Sequence, residues 1–204
     1  MVDERVKLST ADALTVPADA IVVEDSGWLT ASRGLAASVD GLNPELRARR
    51  EQALALHGGP YAIGAALGFP LHPTTHTLRH AIWTITFTYI QQPEQRDHLV
   101  RATPLDIAAA ARSALLEAIE LKARHIIMPA IGTRTDYHVL PPVPKKLPRY
   151  VMGAAQMIGI QQALQTDTTI ESVTLALSQR DYAIFHDLLG LPSAESIDED
   201  TSDE

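Results

Sequence analysis

At 204 residues, 46% hydrophobic and 21% charged, the chain has the composition of a globular protein with one core, not of a disordered segment. No apolar run spans a bilayer, the opening Met1-Val-Asp-Glu-Arg5 lacks a signal-peptide pattern, and the lack of cysteine excludes disulfides, thiol catalysis and cysteine-zinc sites. The net charge of −8 is concentrated at one end. Six acids and no bases lie from Glu195 to Glu204, so the body carries about −2 and offers no dominant basic patch for nucleic acid. These features predict a cytoplasmic protein with one domain over residues 1–191 and a solvated, disordered acidic tail over 192–204.

Val6 to Leu8 and Ala20 to Val23 read as short strands, the second apolar enough to be central. Asn43-Pro44 signals a helix that runs from Glu45 to the stop at Gly58-Gly59. Ala62 to Phe69 and Leu78 to Tyr89 read as further strands, the latter rich in Thr, Ile, Trp and Phe. Thr103-Pro104-Leu105-Asp106 is a capping box, and Leu105, Ala108, Ala111, Leu115 and Ile119 follow at helical spacing. His125 to Ala130 is a strand, and Pro148 opens a helix through Gln165 whose Gly153, Ala154, Ala155 and Gly159 suit close packing. Glu171 to Leu177 is a strand, and Ser178-Gln-Arg-Asp181 caps a final helix closed by Gly190 and Pro192. Strands alternating with helices predict a three-layer α/β/α sandwich around a largely parallel sheet.

The segment from His125 to Asp136 carries the strongest functional signal. An apolar strand runs into Pro129-Ala-Ile-Gly-Thr133, a turn that leaves backbone N–H groups at the carboxyl end of a strand, where α/β sheets collect anions. Elsewhere the signals are weaker. His72, His76 and His80 recur every four residues, but Pro73 and the intervening threonines oppose a helix, and on a strand they stand too far apart to share a metal. No Gly-x-Ser-x-Gly elbow is present.

Three segments together resemble a macrodomain, the ADP-ribose-binding module. Asp12-Ala-Leu-Thr15 with Ala18-Asp-Ala-Ile-Val22 is similar to that family's Gly-Asp-Ile-Thr and Val-Asp-Ala-Ile-Val-Asn opening. Thr103 through Thr133 resembles its long helix leading into Pro-Ala-Ile-(Ser/Gly)-Thr-Gly, and Val173 through Leu189 its last strand and helix, with Asp181-Tyr182 in place of an Asp-Tyr pair. The resemblance spans roughly residues 5 to 190. It implies a mixed six-stranded sheet, a cleft at the carboxyl ends of the central strands and no cofactor. Asp12, with Ala13 beside it, falls where the family's carboxylate accepts from the adenine amino group, and Tyr182 falls near the same ligand. Asp12 can equally cap a helical turn.

The departures are as specific as the matches. The family's first phosphate loop opens Asn-Ala-Ala-Asn and continues to a run of glycines. Here the stretch is Val23-Glu-Asp-Ser26 and then Leu29-Thr-Ala-Ser-Arg-Gly34, so both asparagines are lost and only Gly34 of the run remains. Ser26 stands where a longer amide would orient the distal ribose, and Arg33 supplies a guanidinium that can pair with phosphate. The second loop reads Arg134-Thr-Asp136 after Gly132-Thr133. Ile131 to Asp136 resembles the Ile-Gly-Cys-Gly-Leu-Asp loop of the branch that works through a lysine adduct, yet no lysine occurs in Ile85-Thr-Phe-Thr-Tyr89, where it should lie. A proline-rich insertion from His138 to Arg149 follows, either a lid or a surface excursion.

The reading that results is a binder of ADP-ribose or a related adenosine diphosphate nucleotide, free or attached to protein. Asp12 would hold adenine, main-chain groups of Ile131, Gly132, Thr133 and Arg134 would hold phosphate, and Gly34 and Arg33 would face them. An enzymatic version, hydrolysis of ADP-ribosyl or ADP-ribose phosphate bonds, would position water with Asp136 or Asp25. The alternative is a degenerate macrodomain fold kept as a non-catalytic interaction or structural module.

Overall fold

The computed structural model describes residues 3–72, 77–92, 95–133 and 149–191. Seven strands form one mixed sheet in the order β1 (Val6–Ser9), β7 (Ser172–Ala176), β6 (His125–Pro129), β2 (Ala20–Ser26), β4 (His80–Gln92), β3 (Ala66–Pro70), with β5 (Gln95–Arg101) pairing β4. The first five in that order run parallel, while β3 and β5 are antiparallel to β4. Phe87 of β4 pairs with Ser26 on one side and Arg101 on the other, so β5 continues the edge that β3 begins.

Among the described residues five helices cover the sheet: α1 (Leu35–Leu42), α2 (Leu46–His57), α3 (Pro104–Glu120), α4 (Arg149–Thr166) and α5 (Gln179–Leu188). Two apolar clusters separate them into layers. One joins Val22, Ile126, Met128 and Val173 to α3, α4 and α5; the other joins Ile21, Val23 and Ile127 to α1 and α2. That is the three-layer sandwich the alternation predicted. Among the described residues no helix is long and apolar enough to cross a membrane.

The strongest local signals fold as their chemistry requires. Thr103 Oγ1 accepts from Asp106 N–H at 3.3 Å while Asp106 Oδ2 accepts from Thr103 N–H at 2.8 Å, and Pro104 sits at the first helical position. Ser178 caps α5 by accepting from Asp181 N–H. Gly58 ends α2 with φ of +79°, the left-handed conformation that a residue without Cβ adopts freely.

Other expectations need correction. The third strand begins at Ala66, not Ala62, because Gly64 turns the chain at φ of +91°. Asn43 accepts from Glu45 N–H through Oδ1 and from Leu46 N–H through its carbonyl, so it shapes the lead-in and α2 starts at Leu46. Helix α1 and strand β5 had no sequence signal assigned to them, and β5 raises the strand count from six to seven. The tail from residue 192 and His76 lie outside the described residues.

Candidate functional site

Period-two alternation along β2 decides what surrounds the turn after β6. Ile21 and Val23 face α1 and α2, whereas Val22 faces α3 and α4. Continuing the pattern sends Glu24 toward α3 and Asp25 toward α2. Each then meets a different loop.

On the α3 side, Glu24 Oε1 accepts from Gly132 N–H at 3.1 Å and from the Thr86 hydroxyl at 2.5 Å. The neighbouring Ile131 N–H donates to Gln156 Oε1 at 3.0 Å, and Gln156 Nε2 donates back to Pro129 C=O at 2.8 Å. The Thr133 hydroxyl donates to Ala130 C=O. Gly132 takes φ of +70°, and a Cβ there would lie 2.4 Å from Ile107 Cδ1 on α3. The turn is therefore built, but two of the N–H groups expected to meet phosphate already have side-chain acceptors. Gln156 is fully buried and bridges both arms of the turn. Gln156→Leu should cost about 1–3 kcal/mol, because it leaves the buried Ile131 N–H and the partly buried Pro129 carbonyl without their partner. Urea unfolding measures this, and an unchanged midpoint would refute the bridge.

On the α2 side, Asp25 is fully buried, with Oδ1 accepting from Ser26 N–H at 2.6 Å and Ala31 N–H at 2.8 Å. Its Oδ2 accepts from Arg50 Nη1 at 3.1 Å. Arg50, only 2% exposed, also donates to the carbonyls of Leu29 and Ala31 and to Asp40, and lies 4.7 Å over the Trp83 ring. Burial pushes the Asp25 carboxyl up, while the two N–H donors and the guanidinium pull it back. This corrects the sequence reading of Asp25 as a water-positioning base. Neither oxygen reaches solvent; the carboxylate braces the loop from Ser26 to Ala31. Ser26 is likewise 1% exposed, and its hydroxyl lies 3.0 Å from the Thr30 hydroxyl, so it does not present a free group to a ribose.

The open space lies next to the turn. A cleft of about 310 Å³ sits at the carboxyl ends of β1, β6 and β7, bounded by Asp12, Ala13, Leu35, Ser38, Pro129 and Leu177. Asp12 is exposed; Oδ1 accepts from Leu14 N–H at 2.9 Å, and Oδ2 has no partner among the described residues. The local turn-capping role read from the sequence is thus seen at one oxygen of this carboxylate. Gly34, at φ of +57° and ψ of −135°, is the N-cap of α1 and delivers that helix's amino end to the cleft through Leu35. Arg33 is exposed beside it. Tyr182 packs against the α3–α4–α5 core with its ring 5.9 Å from that of His186 and does not line the cleft. Arg134 and Asp136 lie outside the described residues.

A larger recess of about 790 Å³ occupies the amino ends of the strands, bounded by Asp19, Leu71, Arg79, His80 and His125. Ligand sites in open α/β sheets lie at the opposite, carboxyl ends of the strands. The smaller cleft, at the carboxyl ends, is therefore the candidate site. Among the described residues no cluster of His, Asp and Glu could hold a metal ion. Sequence reading missed Glu24, Arg50 and Gln156, although two acids replacing the alanines of the resembled Asn-Ala-Ala-Asn loop were a visible signal.

No protein-family model matches the chain, and no curated protein sequence matches it. Solved structures do. A mutant of the Oceanobacillus iheyensis macrodomain with ADPR is 22% identical with a TM-score of 0.69, over 90% of each chain. The macro domain of ganglioside induced differentiation associated protein 2 is 18% identical with a TM-score of 0.69, covering 92% of this chain and 83% of that one. The macrodomain of Mycobacterium tuberculosis DarG is 15% identical with a TM-score of 0.58, covering 83% and 96%. At such identities the likeness is one of fold, and the chain has the macrodomain fold.

Proposed function

We propose that this chain of macrodomain fold binds an ADP-ribose-related adenine nucleotide through its adenosine half. The observation that carries the reading is the cleft itself. A carboxylate with a free oxygen stands at its mouth on Asp12, apolar walls from Leu35 and Leu177 suit a purine face, and the α1 amino end opens beside it. Asp12 Oδ2 would accept from the adenine 6-amino group. A second solved relative, the Oceanobacillus iheyensis macrodomain with ADP, is described with a nucleotide of that class bound.

Calorimetric titration with adenosine and with ADP-ribose tests the reading. Folded protein that gives no heat with either at millimolar ligand would end it. Asp12→Ala should weaken adenosine about tenfold, the loss of one hydrogen bond to a charged acceptor. Equal binding of adenosine and inosine by the parent protein would remove Asp12 from the recognition of adenine.

A second reading, a non-catalytic interaction module, draws support from the loop that follows β2. Asp25 is committed to the loop and to Arg50, which favours binding over hydrolysis. Incubation with mono-ADP-ribosylated protein decides between them. Release of ADP-ribose would restore the hydrolase, with Asp136 its remaining carboxylate.

A further inference from the structure

The larger recess, at the amino ends of the strands, holds two opposite charges that are not paired with each other. Asp19 and Arg79 line it, Leu71 and Leu78 give it apolar walls, and its volume of about 790 Å³ suits a small molecule. The backbone of Asp19 ties three strand starts together. Its carbonyl accepts from Arg79 N–H at 2.8 Å and His80 N–H at 3.1 Å, and its own N–H donates to His125 C=O at 2.8 Å. The carboxylate is oriented as firmly, because Oδ2 accepts from Arg124 N–H and His125 N–H, both at 2.9 Å. Oδ1 is left without a partner among the described residues.

Burial raises the Asp19 carboxyl, but the N–H groups of His125 and Arg124 and the charges of His125 and Arg79 outweigh it and hold the group below its ordinary 3.8. It is therefore ionised at neutral pH. The Arg79 guanidinium, exposed on the same recess, makes no hydrogen bond or ion pair among the described residues. The two histidines do not upset this balance. Burial keeps His80 below its ordinary 6.5, and the His125 ring nitrogens lie 3.0 Å from the Ser172 hydroxyl and 3.4 Å from Glu171 Oε2. A ligand with only a carboxylate would be opposed by Asp19, and one with only an amine by Arg79. A ligand carrying both charges satisfies both.

We infer that this recess is a second binding site, for a small zwitterion with an apolar body, such as an apolar amino acid or dipeptide. Arg79 takes its carboxylate, Asp19 Oδ1 accepts from its ammonium group, and Leu71 and Leu78 cover the apolar part. Side chains supply both charges, so the site needs no free N–H groups from strand carboxyl ends. It lies at the opposite end of the sheet from Asp12 and does not depend on the nucleotide reading.

The test titrates the isotope-labelled full chain with phenylalanine, its dipeptide, 3-phenylpropionate (no ammonium) and phenethylamine (no carboxylate), following backbone amide resonances. One of the two zwitterions should bind about tenfold more tightly than either singly charged analogue, the worth of one charged hydrogen bond. It should move the Ala18 and Leu78 amides and leave Ala13 and Leu177, in the nucleotide cleft, unmoved. Arg79→Gln should weaken the zwitterion about tenfold without weakening phenethylamine. Asp19→Asn, which keeps an oxygen for the Arg124 and His125 amides, should weaken the zwitterion without weakening 3-phenylpropionate. No shift with any probe at millimolar concentration would overturn the inference, as would singly charged analogues that bind as well as the zwitterions. Arg79→Gln binding like the parent would overturn it too, and this exposed substitution stays readable even if Asp19→Asn fails to fold. Probe binding that Asp12→Ala weakens as much as Arg79→Gln would move the probes to the nucleotide cleft and equally end it.

Discussion

Arg50→Leu should cost about 3–5 kcal/mol of stability, the penalty for removing one partner of a buried ion pair. Leucine fills much of the space but leaves the Asp25 carboxylate, wholly removed from water, without its cation. It also strips donors from the carbonyls of Leu29 and Ala31 and from Asp40. Contact with the Trp83 face, about 0.5–2 kcal/mol for a desolvated pair, goes as well. The pH dependence has a definite sign. Burial already raises Asp25 above its ordinary value of 3.8, and loss of the guanidinium raises it further. Between the ordinary value and the raised one, the folded variant binds a proton that the unfolded chain does not. The Asp25 contribution to stability must therefore increase as pH falls toward about 4, and the deficit against the parent must narrow. Adding Asp25→Asn should recover part of the loss at neutral pH. Urea unfolding at pH 7 and pH 5 reads all of this. A loss under about 1 kcal/mol at pH 7 would show that the loop stands without its brace.

That prediction marks where sequence reading stops. Signals confined to a few neighbouring residues were legible: the Thr103 box, the Ser178 cap, the Gly58 stop and the small-residue helices all fold as read. The sandwich followed from their order. Arg50 was not legible because α2 carries Arg47, Arg49 and Arg50 almost together, and only one turns inward. A hint existed in its spacing, since Leu46, Arg50 and Ala53 share one helical face and Leu46 is fully buried. Helix α1 is a single eight-residue element whose cap is a glycine without a side-chain bond, so nothing local announces it. Glu24 and Gln156 escaped for a different reason. Both act on a turn more than twenty residues away, and such a partner appears only once the sheet register is fixed. The turn itself was located correctly; its occupancy was not.

Gly159→Ala should destabilise the protein by about 3 kcal/mol and, at the same time, loosen the turn. Overpacking a core usually costs about 1–3 kcal/mol, and this position belongs at the upper end because the obstacle is main chain. A Cβ at residue 159 would stand 2.1 Å from the Ala108 carbonyl oxygen and 3.0 Å from Ala111 Cβ. A carbonyl inside α3 cannot rotate away as a side-chain tip would, so α4 must move off α3. The two helices carry the two supports of the turn: Ile107 of α3 packs where Gly132 has no Cβ, and Gln156 of α4 holds Ile131 and Pro129. Separating them lengthens the Gln156 bonds before it disturbs the sheet beneath. The expected signature is a lower urea midpoint together with faster hydrogen exchange at the Ile131 amide than at Ile126 or Ile127 within β6. Uniform acceleration across these amides would mean that α4 is lost as a whole and does not specifically support the turn. A midpoint unchanged from the parent would mean that the helices already have room to part, and that their small residues do not set the spacing on which the turn depends.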